Sequence, residues 1–354
     1  MKMLSFKNFC ERVKNELPDL LAQDAVHGIH VEQIIKNNGM VCTGVIFQTD
    51  DSNISPIIYL DSYYESYRNG RVFANILYDI AETYEQHKPE KNFDVNMIQN
   101  FATAKEHISC RLVNLDLNKE QLKNHPYKKI DDLAVTYHLE FESIENGTAT
   151  IAINNKLLEG YGITIDELDS LARENMKNLS TPLFQNMETL LVERLLEDIM
   201  LSFDIDEKEA MELIKNSYDG SQSIYVLSNE QNMYGASLIL DNDVMDMVAH
   251  EVGERFYVIP SSVHECLILP FDGNMEHYKE YEQMVKDVND TQVQQNEILS
   301  YKMYMVDARK HIFMSCERAY EMEQKMQEKE KEQSQEFVQN KQHRVDVKPI
   351  APKC

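Results

Sequence analysis

Between Ser223 and Pro270, strand, helix and hairpin signals follow one another closely enough to fix the class of fold. Ser223–Leu227 (SIYVL) and Ala236–Leu240 (ASLIL) are short β-branched and apolar runs between polar or glycine-containing segments, the pattern of buried strands. Asp241-Asn242-Asp243 then offers side-chain oxygens to the free amides of a helix start. Val244, Met247, Val248 and Val252 recur at helical spacing, and Gly253 supplies the stop. Arg255–Ile259 and Val263–Leu269 flank Pro260-Ser261-Ser262, which predicts an antiparallel hairpin with a three-residue loop. Cys266–Leu269 lacks polar alternation, as a strand covered on both faces does.

The rest of the chain has the same character. Leu4, Phe6, Phe9, Val13, Leu17 and Leu20 line one side of a helix capped by Ser5 and interrupted at Pro18. His27–Lys36 and Met40–Gln48 flank Asn37-Asn38-Gly39, residues that tolerate positive φ, so a hairpin is expected, with Ile54–Leu60 as a third strand. Asp61 is expected to cap a short helix ending at Gly70, and Val72, Ile76, Leu77, Ile80, Ala81 and Tyr84 define a longer one. Met97–Lys105 is predicted helical, Ile108–Leu115 a strand and Lys119–Lys123 a short helix. Leu133–Glu142 and Thr148–Ile153 form a hairpin around Glu145-Asn146-Gly147. Helices are expected over Asn155–Glu159, Ile165–Asn178, Pro182–Met200, Glu207–Lys215 and Met275–Val288, and strands over Tyr301–Val306 and His311–Met314.

These elements make an α+β fold with mixed, largely antiparallel sheets and hairpins covered by amphipathic helices. The expected division is 1–125, an N-terminal α+β domain; 126–220, a hairpin plus helical segment; 221–316, a C-terminal α+β domain; and 317–354, a solvated helix and disordered tail. IIYLDSYYESYRNG, TIAINNKLLEGYG and LILDNDVMDMVAHEVG each contain a strand, an Asx cap, a short helix and a final glycine. A repeated strand–helix unit and a chance recurrence account for this equally well.

Sixty acidic residues against 35 basic ones give a formal charge of −25, which repels nucleic acid and anionic membranes and attracts basic surfaces. Cys316–Cys354 is balanced, so the whole excess belongs to residues 1–315. Six dispersed cysteines without a CxxC pair argue for reduced thiols, and no run resembles a signal peptide or a membrane span. A cytoplasmic protein without direct nucleic-acid binding or membrane association is expected.

Ala249-His250-Glu251-Val252-Gly253-Glu254 is one letter from the zinc motif HExxH, but its second ligand would be Glu254, beyond the helix stop at Gly253. No metal is therefore expected. No glycine-rich phosphate loop or calcium loop occurs either, so no cofactor is expected. Ser261, Ser262, His264 and Glu265 contain the residue types of a nucleophile–base–acid set. On an extended strand, however, 262 and 264 point to one side and 265 to the other, whereas a triad needs its base between nucleophile and acid. A hydrogen-bonding role for His264 and a turn role for the serines fit that geometry better.

FYVIPSSVHECLILP, MVKDVNDTQV and Ile57-Ile58-Tyr59-Leu60-Asp61 resemble the family of domains of unknown function numbered 5688, over most of the chain to about residue 315. The resemblance implies a bacterial cytoplasm, often in a mobile-element neighbourhood, and carries no established activity. It draws attention to Asn289 and Gln292 beside His264. The leading expectation is a non-enzymatic interaction or accessory protein of a bacterial mobile element that binds a basic protein. The alternatives are a hydrolase sited near 260–265 and an acidic DNA mimic.

Overall fold

The computed structural model describes residues 3–21, 26–50, 52–89, 92–142, 148–203, 205–209, 211 and 224–345. The chain is an α+β fold with, among these residues, three antiparallel sheets.

The first sheet is β1 (Gly28–Ile35), β2 (Val41–Gln48) and β3 (Ile57–Tyr59), in that order. Its inner face carries Val45, Phe47 and Ile58 and packs on α1 (Phe6–Glu16), α2 (Leu60–Arg68) and α3 (Phe73–His87). Phe9, Val13, Ile76, Ile80 and Tyr84 complete that core, and Phe47 stacks on Tyr84 with centroids 4.1 Å apart. Ser5 caps α1 as expected. Asp61 does not cap α2: Tyr59 holds that position, and Asp61 Oδ2 instead accepts the Thr43 amide at 2.8 Å.

The second sheet is built on β6 (Leu133–Glu142), which pairs with β4 (Ile108–Asn114) on one side and with β5 (Tyr127–Ile130) and β7 (Thr148–Ala152) on the other. Leu112, Val135, Tyr137 and Leu139 meet Leu168, Ala172 and Met176 of α8 (Ile165–Leu179), which starts at a Thr164–Glu167 capping box. The helix expected over 97–105 is two short ones, α4 (Asn96–Gln99) and α5 (Phe101–Ala104), because Asn100 is extended and its side chain caps the second. β5 was not legible in the sequence, since YKKI is polar and edge-exposed. α6 (Lys119–Leu122) and α7 (Asn155–Tyr161) complete this layer. The Glu145-Asn146-Gly147 turn lies outside the described residues, but β6 and β7 pair across it from Glu142 and Thr148.

The third sheet has six strands in the order β13-β12-β10-β11-β9-β8. They are β8 (Pro182–Asn186), β9 (Tyr225–Asn229), β10 (Arg255–Ile259), β11 (Cys266–Pro270), β12 (Tyr304–Asp307) and β13 (Ile312–Ser315). Its helices are α9 (Met187–Phe203), α10 (Asn242–Val252), α11 (Tyr278–Gln292) and α12 (Cys316–Val345). One face joins the core of the second sheet through Phe256, Val258, Ile268 and Tyr304. The other buries Tyr257, Leu269 and Met305 with Tyr278 and Cys316. Burial on both faces is what the uninterrupted Cys266–Leu269 run required.

Three expectations are corrected here. Residues 182–186 are a strand rather than the start of a helix, paired with β9 from Pro182↔Asn229 to Asn186↔Tyr225. The β10–β11 loop is Pro260–Glu265, because the last pair is Ile259↔Leu267. The buried run Ala236–Leu240 belongs to a 3-10 helix, Gly235–Leu240, and not to a strand. Tyr234 precedes it at φ +55°, and Ser237 returns its hydroxyl to the Tyr234 carbonyl at 2.8 Å, so the chain turns at once. Apolar burial alone does not separate these outcomes. The third copy of the strand–helix recurrence therefore has no strand, and the first has no Asx cap.

Strand pairing runs across positions 125 and 220: β4 pairs with β6, and β8 with β9. α12 begins inside the body, where Cys316 is fully buried, and Arg255 Nη2 reaches Glu323 at 2.6 Å.

The sheets meet at the irregular segment 293–300 between α11 and β12. The β1–β2 tip supplies Asn37, whose Nδ2 donates to the Asn296 carbonyl at 2.7 Å, and Asn38, whose Nδ2 donates to those of Gln295 and Ile298 at 2.8 and 2.7 Å. Asn114 at the end of β4 holds the Leu299 carbonyl at 3.0 Å, and Asn118 Nδ2 donates to Asn38 Oδ1 at 2.9 Å. Asn38 is 5% exposed and sits at φ +59°, a conformation that asparagine tolerates better than most residues. Asn38→Ala and Asn38→Gly should both lower stability, by about 2–4 kcal/mol, because each strands buried carbonyls. Urea denaturation checks this; recovery of wild-type stability in the glycine variant would show that backbone strain, not the carboxamide, decides the site.

Candidate functional site: the 260–265 loop and a buried polar face

The loop expected to carry function grips the 293–300 segment from the other side. Ser262 bridges to Ile298, and the Val263 amide donates to the Glu297 carbonyl at 2.9 Å. Asn289 on α11, 1% exposed, donates Nδ2 to the Ser300 carbonyl at 2.8 Å. Ser262, His264 and Asn289 are thus brought together around one strap. Glu265 is half-buried beside it, and Gln292 is exposed at the end of α11.

The two serines do not engage the imidazole. Ser262 Oγ accepts the His264 backbone amide at 3.0 Å, and Ser261 Oγ is buried with no hydrogen-bond partner. His264 Nδ1 accepts the Tyr234 amide at 3.2 Å, which requires that nitrogen to be unprotonated and puts the proton on Nε2, 3.9 Å from Glu297 Oε1. Its free lone pair is therefore spent on backbone, and a general base toward either serine is not assembled. The close packing depends on Gly235, where a Cβ would lie 2.6 Å from the Asn229 nitrogen and 2.7 Å from the His264 carbonyl oxygen.

Tyr234 connects this loop to a polar face that the sequence did not flag. Strand register puts Ser109 and Arg111 of β4 on the same face as Thr136, His138 and Glu140 of β6. Arg111, only 6% exposed, lies under the Tyr234 ring at 3.7 Å and bonds Glu140 through Nη2 at 3.0 Å. Because Arg111 is opposite Thr136, its side chain runs back along the sheet to reach Glu140. Arg111 Nε and Ser109 Oγ are buried without hydrogen-bond partners. The His138 ring contacts Thr136 Oγ1 at 3.2 Å, and its pKa is held well below the usual histidine value, first by loss of solvation and then by Arg111 and His125.

The described cysteines are all enclosed. Cys10, Cys42, Cys110, Cys266 and Cys316 are buried, and burial pushes the Cys110 thiol up to about 12. In the HExxH-like stretch, Gly253 ends α10 at φ +100°, Glu254 is ion-paired with Arg309, and Asp246 Oδ1 meets His311 Nε2 at 2.9 Å. Among the described residues no three His, Cys, Asp or Glu side chains gather as a metal site.

Residues 6–308 match the family of unknown function DUF5688. The chain belongs to that family. No curated protein and no solved structure matches it. The DUF5688 match contains the three sheets except β13, and with them the strap, the 260–265 loop and the polar face. No helix among the described residues is long and apolar enough to cross a membrane.

His138 gives this DUF5688 protein a pH signature. Unfolded His138 takes up a proton near pH ~6.5, whereas the folded site does not. Stability should therefore fall as pH drops below that point, by at most about 1.4 kcal/mol per unit. His138→Gln should flatten this limb in chemical denaturation between pH ~6.5 and ~4.5; an unchanged slope would show that His138 ionises freely in the fold.

Proposed function

We propose that the protein is a non-catalytic binding module that docks a basic protein partner, in the setting of a bacterial mobile element. The observation that carries this reading is α9. Met187, Leu190, Leu191, Val192, Leu195, Leu196, Ile199, Met200, Leu201 and Phe203 make it apolar around most of its circumference, yet none of them is buried. Leu201 and Phe203 are 85% and 68% exposed. A helix of that composition is normally covered, and contiguous exposed apolar surface marks contact sites.

Charge selects the kind of partner. The body bears the formal charge of −25, and Glu193, Asp206, Glu207 and Glu209 are exposed on and just after α9. An apolar patch rimmed with cations is the complementary surface. The hydrolase reading has no comparable support, because the His264 lone pair faces the Tyr234 amide.

Leu191 and Leu195 are 44% and 45% exposed, so Leu191→Glu with Leu195→Glu should leave the urea midpoint in place. The same pair should abolish capture of a basic protein from host lysate. Capture by the wild-type protein should fall about tenfold or more between low and physiological salt. Binding indifferent to salt, or retained by the double variant, would sink the reading.

A further inference from the structure

A cleft of about 410 Å³ opens between α6, the turn into β5 and the start of α7, and its polar lining is Lys119, Lys123, His125, Tyr127 and Asn155, without a carboxylate. Leu115, Leu122 and Pro126 complete it with an apolar wall, and the Tyr127 ring is 39% exposed. In a chain with 60 acidic and 35 basic residues, a cleft lined only by cationic, neutral polar and apolar groups is contrary to the whole-molecule charge.

We propose that this cleft binds a small phosphorylated ligand with a flat ring, of the nucleoside monophosphate class. Lys119 and Lys123 present the cations. Their partners in the free protein are Asp116 at 2.8 Å and Glu120 at 2.6 Å, in exposed pairs that contribute little and exchange readily for a multiply charged anion. His125 Nδ1 donates to the Gln121 carbonyl at 2.8 Å, which fixes the ring and leaves the Nε2 lone pair to accept from a ligand hydroxyl or N–H. The Asn155 amide donates to the Asn124 carbonyl at 2.9 Å and anchors the opposite wall. Tyr127 and the apolar wall supply a surface on which a base can stack. The volume is within the range of small-ligand sites. Asp116 and Glu120 stand beside the two lysines and must yield them to the ligand, while screening limits the reach of the more distant acidic surface to about 8 Å at physiological salt.

The test is calorimetric titration of the full chain with adenosine monophosphate, inorganic phosphate and adenosine. Saturable binding of the monophosphate is expected, with weaker competition by inorganic phosphate and none by adenosine. Lys119→Glu and Lys123→Glu, at side chains 67% and 64% exposed, should each weaken binding about tenfold without moving the urea midpoint. Tyr127→Ala should weaken the monophosphate and leave inorganic phosphate unchanged. No saturable heat, or binding that survives both charge reversals, would overturn the proposal. Equal affinity for inorganic phosphate and the monophosphate would overturn the ring-binding part of it.

Discussion

The architecture depends on carbonyl groups that no strand or helix satisfies. Residues 295–300 run from the surface into the interior without regular structure, and an unpaired buried carbonyl is costly. Carboxamide donors from Asn37, Asn38, Asn114 and Asn289 meet the carbonyls of Asn296, Gln295, Ile298, Leu299 and Ser300. Those asparagines come from the first sheet, the second sheet and α11, so satisfying one segment also fixes three units against one another. Asp132, at the β5–β6 turn, adds to the clasp by accepting Ser300 Oγ and the Tyr304 hydroxyl.

The 260–265 loop is a second clasp on the same strap. Its backbone pairs with 297 and 298, its histidine is held by the Tyr234 amide, and Gly235 makes the approach of Tyr234 possible. The residue types that suggest hydrolysis are used here to close a joint. Behind them, Arg111 is sandwiched between Tyr234 and the β4–β6 face, an arrangement that exchanges solvation of the guanidinium for stacking and one carboxylate. The same enclosure keeps His138 neutral.

Membership of DUF5688 spans the joined sheets. The surface bears the exposed apolar helix α9 and a lysine-lined cleft beside α6. The cleft adjoins a clasp, since Asn118, which caps the start of α6, bonds Asn38, but its lysines Lys119 and Lys123 are exposed.

The sequence by itself determined the α+β class, the Asn37-Asn38-Gly39 hairpin, the Asp241 cap with its Gly253 stop, and the doubly covered strand at Cys266–Leu269. Each of these is set by local sterics or by side-chain periodicity within a few residues. Ala236–Leu240 and Pro182–Asn186 were misread because a short apolar run fits a strand or a helix turn equally, and only its neighbours choose. β5 was invisible because its polar residues pair with β6 at a sheet edge. Of the candidate site, Ser262, His264 and Asn289 lie around one strap, and their contacts there were not readable from the sequence. Asn289 holds the Ser300 carbonyl 11 residues away, and Ser262 bridges Ile298 far along the chain, in a segment without periodicity. Arg111, His138 and Tyr234 gave no signal, since only strand register and the turn at Tyr234 bring them to one face. Tertiary structure decided these placements because buried polar groups must find partners wherever the packed chain supplies them, and sequence distance does not enter that requirement.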